Sequence, residues 1–207
     1  MMPSVSRRHV MTLAAAALLC LGASLAPCVP AHAQGGDASA FLKQFADRLV
    51  AVVNGPGDAA TKRQALQPII DGDVDVAAIA RFILARYWNT ATPEQQQKYV
   101  QLFHQVLLNN ISGHLGEYQG VSYTITGTHP QGPASVVATV ITRPNAPPAN
   151  VSWVINDAGG TQKIVDVVAE GTSLRVQQRA DYTSYLQRHN NNIDALIAAL
   201  QRQLNGA

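Results

Sequence analysis

Apolar residues recur at helical spacing through the first half of the chain and at alternating spacing through much of the second half. Phe41, Leu42, Phe45, Leu49, Val52 and Val53 form a stripe that predicts a first helix, ended by Asn54-Gly55-Pro56-Gly57 and preceded by a disordered lead-in over Gln34 to Ala38. Ala59 to Ile70 reads as a second helix that Pro68 cuts near its end. Asp75 is placed to cap a third, on which Val76, Ile79, Ile83 and Tyr87 share a face beside Phe82. Thr92, Pro93 and Gln95 make a capping box with proline at the first helical position. The helix they open carries Tyr99, Leu102, Phe103, Val106, Leu107 and Ile111 to about Leu115. Arg86, Tyr87 and Trp88 fall at the elbow between these two helices.

After Gly120 the period becomes alternating and β-branched residues accumulate in Val121–Thr128, Ala134–Arg143, Asn150–Asn156 and Lys163–Ala169. Turn-like joints separate these runs, which predicts an antiparallel meander of about four strands. Leu174–Arg188 and Ile193–Leu204 close the chain as helices. The order gives an α+β class: helical over 37–118, sheet over 121–169, C-terminal helices over 174–205, with helices covering one side of the sheet.

Residues 1–33 read as a secretory signal, with Arg7 and Arg8, an apolar run from Val10 to Leu25, and Ala31-His32-Ala33 as the cleavage site. Ser6-Arg7-Arg8 leaves general secretion and twin-arginine export both open. Cys20 and Cys28 lie inside this signal, so residues 34–207, read as one domain, offer no disulfide or thiolate site. Loss of Arg7 and Arg8 leaves 13 basic against 13 acidic residues. A near-neutral chain without a basic block is not built for nucleic acid.

Two segments carry a family resemblance. Asp75 to Leu102, D-V-A-A-I-A-R-F-I-L-A-R-Y-W-N-T-A-T-P-E-Q-Q-Q-K-Y-V-Q-L, is followed by Phe103; residues 163–179 read K-I-V-D-V-V-A-E-G-T-S-L-R-V-Q-Q-R. The acidic cap, the R-F-x-L-x-R-Y-W helix, T-P-E-Q, the L-F pair and the E-G-x-S-L turn resemble the MlaC family of periplasmic lipid carriers, also called toluene-tolerance auxiliary proteins, over Phe41 to Leu204. The resemblance implies a curved sheet under a helical layer that encloses an apolar lipid cavity. It also implies a periplasmic location and phospholipid as cargo, with no cofactor. The partners it implies are an outer-membrane lipoprotein complex and an inner-membrane ABC transporter with its substrate-capture subunit. A relative within the family accompanies hopanoid biosynthesis, so a polycyclic lipid is an alternative cargo.

Enzyme signatures are sparse. His104, His114, His129 and His189 include no pair at the i, i+3 or i, i+4 spacing of a helical metal site. Asp71, Asp73 and Asp75 fit a turn and a cap better than a calcium loop, because Arg81, Phe82 and Ile83 stand where further ligands belong. The resemblance turns attention to the apolar residues as a lipid wall: Phe82, Tyr87, Trp88, Phe103, Val106, Tyr123, Val136, Val140, Trp153 and Val167. Val136, Ala138 and Val140 alternate onto one face of their strand, which is taken as the pocket floor. Arg81, Arg86, Arg175 and Arg179 are candidates for head-group or partner docking, although Arg179 is equally suited to pair with Asp166 or Glu170.

A carrier needs such a cavity for an energetic reason. A diacyl lipid exposes on the order of thirty methylenes, and at ~0.8 kcal/mol each their transfer to water costs roughly 25 kcal/mol. Two other classes compete: a small isomerase-type enzyme with Asp166 as base inside an apolar pocket, and a secreted interaction module with a filled core.

Overall fold

The computed structural model describes residues 33–157 and 160–206. All but the last residue of the expected export signal lies outside them. Among the described residues, no helix is long and apolar enough to cross a membrane.

Four helices precede the sheet: α1 (Ala33–Asn54), α2 (Ala59–Asp73), α3 (Val76–Leu84) and α4 (Pro93–Gly113). The sheet follows as β1 (Ser122–Gln131), β2 (Ala134–Arg143), β3 (Ala146–Asp157), β4 (Gln162–Ala169) and β5 (Thr172–Ser173), and the chain closes with α5 (Leu174–Arg188) and α6 (Ile193–Asn205). The strands pair antiparallel in sequence order, β1-β2-β3-β4-β5. The α+β class and the meander agree with the sequence reading, and the two-residue β5 is an addition too short for any alternation to reveal it.

Several boundaries shift for identifiable reasons. Residues 34–38 belong to α1 instead of forming a disordered lead-in, and Ala38 is fully buried with Leu42 and Phe45 against the sheet. Pro68 does not end α2, which runs on to Asp73 because Ile69 and Ile70 beyond it are buried anchors. β3 starts at Ala146 and takes in Pro147 and Pro148, since the β4 ladder begins only at Val151 and the missing N–H groups cost no bond on that side. Pro130 is tolerated at the end of β1 because β1 is an edge strand.

One sheet face packs against α1 and α2. Val137, Ile155 and Ile164 meet Ala38, Leu42, Phe45 and Ile69 there. A second core lies wholly among helices, where Ile83, Leu84, Tyr87, Tyr99, Phe103 and Val106 of the α3–α4 region meet Leu186, Ile193, Leu196 and Leu200. Two local devices join these layers. At the free edge of β4, Val74 forms a parallel bridge with Ile164 and the Asp75 N–H donates to the Ile164 carbonyl at 3.0 Å, so the α2–α3 joint closes an edge that water or another strand would otherwise meet. Asn54, the last residue of α1, donates from Nδ2 to the Val121 carbonyl (3.1 Å) and accepts from the Gly120 N–H (2.8 Å). Gly120 itself has φ +80, and a Cβ there would come within 2.7 Å of the Pro144 ring. Buried Lys62 completes the corner by donating Nζ to the Val53 carbonyl at 2.7 Å, where α1 runs out of helical N–H partners.

Candidate functional site

The segment that carries most of the candidate residues is α3 with the 3₁₀ turn that follows it, Ala85–Asn89. Asp75 caps α3 by accepting from the Ala78 N–H at 2.9 Å. The helix stops after Leu84 because Ala85 adopts φ 53 and ψ −126, a conformation that an L-residue rarely takes. Tyr87 is thereby turned into the helical core instead of continuing the α3 stripe. The turn is then locked: Gln96 Nε2 donates to the Trp88 carbonyl at 2.8 Å, and Thr92 and Gln95 complete the capping box.

All four candidate arginines sit over aromatic rings of this segment. Arg175 and Arg179 of α5 approach the Phe82 ring, with Cζ 4.4 and 5.3 Å from its centroid. Arg81 lies over Trp88 at 5.7 Å and Arg86 over Tyr87 at 4.9 Å. The rings orient the guanidinium groups, while the edge of Arg175 is already turned to Asp166 and the Val165 carbonyl and Arg86 Nη2 to the Tyr87 hydroxyl. Sequence spacing within α3 gives no hint that Arg175 and Arg179 share a ring 93 and 97 positions earlier in the chain.

The sheet contributes a different surface. Trp153 donates Nε1 to Thr139 Oγ1 (3.0 Å), which donates to the Val151 carbonyl (2.8 Å), and the indole meets Phe45 edge-on with centroids 5.6 Å apart. Trp153, Val167 and Ile125 are half-buried beside the core that α1 covers. Tyr123 lies on that same face by its pairing with Ile141, and its hydroxyl is 2.6 Å from Asp47 Oδ1 and 3.2 Å from the Lys43 carbonyl on α1. Burial, helped by the Asp47 carboxylate, pushes the Tyr123 phenol up to about 12.

The ten apolar candidates therefore do not share one space. Phe82, Tyr87, Trp88, Phe103 and Val106 belong to the helical core or its margin, while Trp153 and Val167 border the core under α1, on the sheet face that also carries Tyr123. Val136 and Val140 point to the other face. Val136 packs with Val154 and Val165 in a separate cluster, and the cross-strand neighbours of Val140 are Thr124 and Asn150, both exposed. The alternation in β2 is real, but both of its faces are apolar near Val136 and Val137, and only the one with Val137 is covered by α1. The expected floor is thus on the wrong side for Trp153.

Asp166 is buried and fully engaged. Its oxygens accept from the Val167 N–H (2.8 Å), Ser173 Oγ (2.6 Å) and the Arg175 N–H (3.3 Å). Arg175 Nε stands 3.3 Å from Oδ2, within ion-pair range though not aligned as a hydrogen bond, and Arg175 Nη1 donates to the Val165 carbonyl at 3.3 Å. Arg175, rather than Arg179, is the partner of Asp166, and Glu170 instead accepts from the Asn150 N–H. A carboxylate that fixes the start of α5 in this way has its lone pairs committed to the fold.

A groove of about 800 Å³ opens where the α2–α3 joint faces α4. Val76, Trp88 and Val100 give it apolar wall, and Asp71, His104 and Lys163 give it polar wall. His104 Nε2 is 2.7 Å from Asp71 Oδ1. Of the fourteen candidates Trp88 alone lines this groove; Asp71, Asp75, Pro93 and His104, also in its wall, stand out in the sequence only as turn, cap and unpaired-histidine positions.

A profile of the MlaC protein family matches residues 43–202. The chain belongs to the MlaC family. A curated relative, the toluene tolerance protein Ttg2D of Pseudomonas putida, is 27% identical over 135 residues, which cover 64% of this chain and 63% of the relative. The chain thus matches somewhat under two thirds of that relative's length. Among solved structures, a phospholipid-binding protein of Ralstonia solanacearum, determined in complex with a phospholipid, superposes with a TM-score of 0.73 at 19% identity, covering 82% of this chain and 97% of that one. The shared architecture is the five-stranded antiparallel curved sheet with its helical layer.

Proposed function

We propose that this MlaC-family chain is a non-enzymatic periplasmic carrier that holds the acyl chains of a phospholipid and moves the lipid between an outer-membrane lipoprotein complex and an inner-membrane ABC transporter with a substrate-capture subunit. In this role it contributes to outer-membrane lipid asymmetry. Membership of the family over residues 43–202 carries the reading. The fold shared with a protein whose structure holds a phospholipid supports it.

The residues best suited to the acyl chains are the half-buried apolar groups bordering the α1–sheet core. Trp153, Val167 and Ile125 on the strands face Phe41, Leu49 and Val52 on α1. Half-buried apolar groups suit an acyl-chain wall, because a fully packed core offers no entry and an exposed patch cannot offset a cost of roughly 25 kcal/mol. The head group loses little by staying wet, so selectivity for it is weak and the site needs few polar contacts. The engaged state of Asp166 gives the isomerase reading no free base at the position it requires.

Extraction of the purified protein with organic solvent, followed by lipid mass spectrometry, tests the reading. Stoichiometric phospholipid is expected. A protein that carries none, and acquires none when incubated with vesicles, is not a carrier, and a polycyclic lipid in the extract would reassign the cargo.

A further inference from the structure

Burial is graded along the sheet face that α1 covers. At one end Val137, Ile155 and Ile164 are sealed under Ala38, Leu42 and Phe45. Further along, the pairing aligns Ile125, Thr139, Val151 and Ala169, and the apolar members of that row are only half-buried, as are Leu49 and Val52 on α1. Trp153 stands at the boundary, itself half-buried, in a row with sealed Val137 and half-buried Val167. Its ring is held there from two sides. The indole N–H donates to Thr139 Oγ1 at 3.0 Å in the next row, Thr139 is 2% exposed and its hydroxyl donates on to the Val151 carbonyl, and Phe45 meets the ring edge-on. An indole whose polar tip bonds a buried hydroxyl keeps one orientation, because swinging aside gives up both the bond and the ring contact.

We infer that Trp153 is the inner stop of the acyl site and sets the length of chain that the carrier accepts. The inference rests on the carrier reading and adds to it a selectivity and the residue responsible. Past the indole lies sealed core, which takes no further methylene without overpacking. A chain too long for the space leaves its surplus in water, and each methylene so exposed weakens binding about fourfold relative to a bilayer that buries it. A chain that ends before the stop is buried equally well in protein and bilayer and gains nothing from being shorter. Thr139 acts through Trp153 as a positioning residue, since it touches the indole and not the lipid.

Exchange against vesicles of mixed chain length tests it. The purified protein is incubated with equimolar mono-unsaturated phosphatidylcholines whose chains run from fourteen to twenty-two carbons, re-isolated and extracted for lipid mass spectrometry. Uptake should be even among the shorter chains and fall about fourfold per methylene past a break. Trp153→Leu keeps an apolar wall but shortens the stop, so the break should move to longer chains and the ratio of longest to shortest lipid should rise several-fold. Trp153→Phe restores most of the ring and should move the break by less, and it keeps the test open if the leucine variant folds poorly. Val140→Leu, on the opposite face of the sheet, should leave the profile unchanged. Melting curves confirm that each variant is folded. A break at the same length in both Trp153 variants, or uptake by the unmodified protein that does not depend on length, overturns the stop and leaves carriage standing. Uptake of no lipid of any length overturns carriage and the stop with it.

Discussion

The hydroxyl of Tyr87 donates to Asn191 Oδ1 at 2.8 Å, joining residues 104 positions apart. Arg86 Nη2 donates to the same hydroxyl at 3.0 Å. Asn191 can receive the bond because it and Asn190 both adopt left-handed conformations, φ 56 and 55, in the turn between α5 and α6, and the Asn191 N–H closes α5 on the Leu186 carbonyl at 2.8 Å. The elbow that follows α3 is therefore tied to the C-terminal helical pair.

From this tie, Tyr87→Phe should cost about 1 kcal/mol and Tyr87→Ala about 3–5 kcal/mol, through loss first of a hydrogen bond and then of a buried ring. Bound lipid per folded molecule should stay the same, because Tyr87 packs in the helical core and not beside Trp153. Chemical denaturation and lipid mass spectrometry check the two halves. A fall in lipid without a fall in stability would return Tyr87 to the cavity wall.

The two faces of the sheet give a sharper contrast. Trp153→Ala should reduce bound lipid and also destabilise by about 3 kcal/mol or more, since Phe45 loses its edge-on ring contact and the Thr139 hydroxyl the bond it accepts. Val140→Trp should do neither to any large degree, as the residue looks away from α1 between exposed Thr124 and Asn150. Val137→Trp, one face over and fully buried, should cost about 1–3 kcal/mol or more by overpacking. Lipid content and urea midpoints of the three variants rank the faces directly. Loss of lipid in Val140→Trp would show that the cargo lies on the other side of the sheet.

How far the sequence could lead is visible at these same residues. Caps and stripes are local, and Asp75, Thr92, Pro93 and Gln95 behave as their spacing predicts. The alternation of β2 is equally local, but it reports only that two faces exist. Near Val136 and Val137 both are apolar, and the covered one is decided by where α1 docks nearly 100 residues earlier in the chain. The arginine–aromatic contacts share this limit: α3 and α5 must be packed together before Phe82 can lie under Arg175 and Arg179. The Asn190-Asn191-Asn192 run was the available signal for the tie to Tyr87, since asparagine tolerates left-handed backbone better than other side-chain-bearing residues.

Alkaline pH should weaken the fold. Partial burial pushes the Tyr182 phenol up to about 12, with Asp181 adding to it, and the half-buried ring meets Tyr99 edge-on at 6.4 Å. Tyr99, buried with its hydroxyl donating to the Ala80 carbonyl at 3.1 Å, is shifted upward as well. A phenol whose folded value is raised contributes its full stability below the unfolded value of about 10 and loses it as pH climbs through the folded value. Stability should hold to about pH 10 and then decline, by about 2–3 kcal/mol for Tyr182 alone at pH 12. Tyr182→Phe should remove that share of the slope. Denaturation midpoints against pH, with phenolate absorbance as the titration readout, give the comparison; an unchanged slope in the variant would locate the titrating group elsewhere.

Ala85 offers the opposite kind of test, a substitution expected to stabilise. At φ 53 and ψ −126 its Cβ is held in a region suited to glycine, yet the position is required: it stops α3, lets its own N–H bond the Arg81 carbonyl, and turns Tyr87 inward and Trp88 toward the groove. Such backbone strain costs about 1–3 kcal/mol, whereas glycine adds about 0.4–1 kcal/mol of disorder to the unfolded chain. Ala85→Gly should therefore raise stability by about 1 kcal/mol, and Ala85→Val, with a branched Cβ in the same place, should lower it by more than that. The contacts around Arg86, Tyr87 and Trp88 are untouched by the glycine, so lipid content should be unaltered. Urea midpoints decide the matter: a destabilised glycine variant would mean that the neighbours of Ala85 hold it by contacts worth more than the strain.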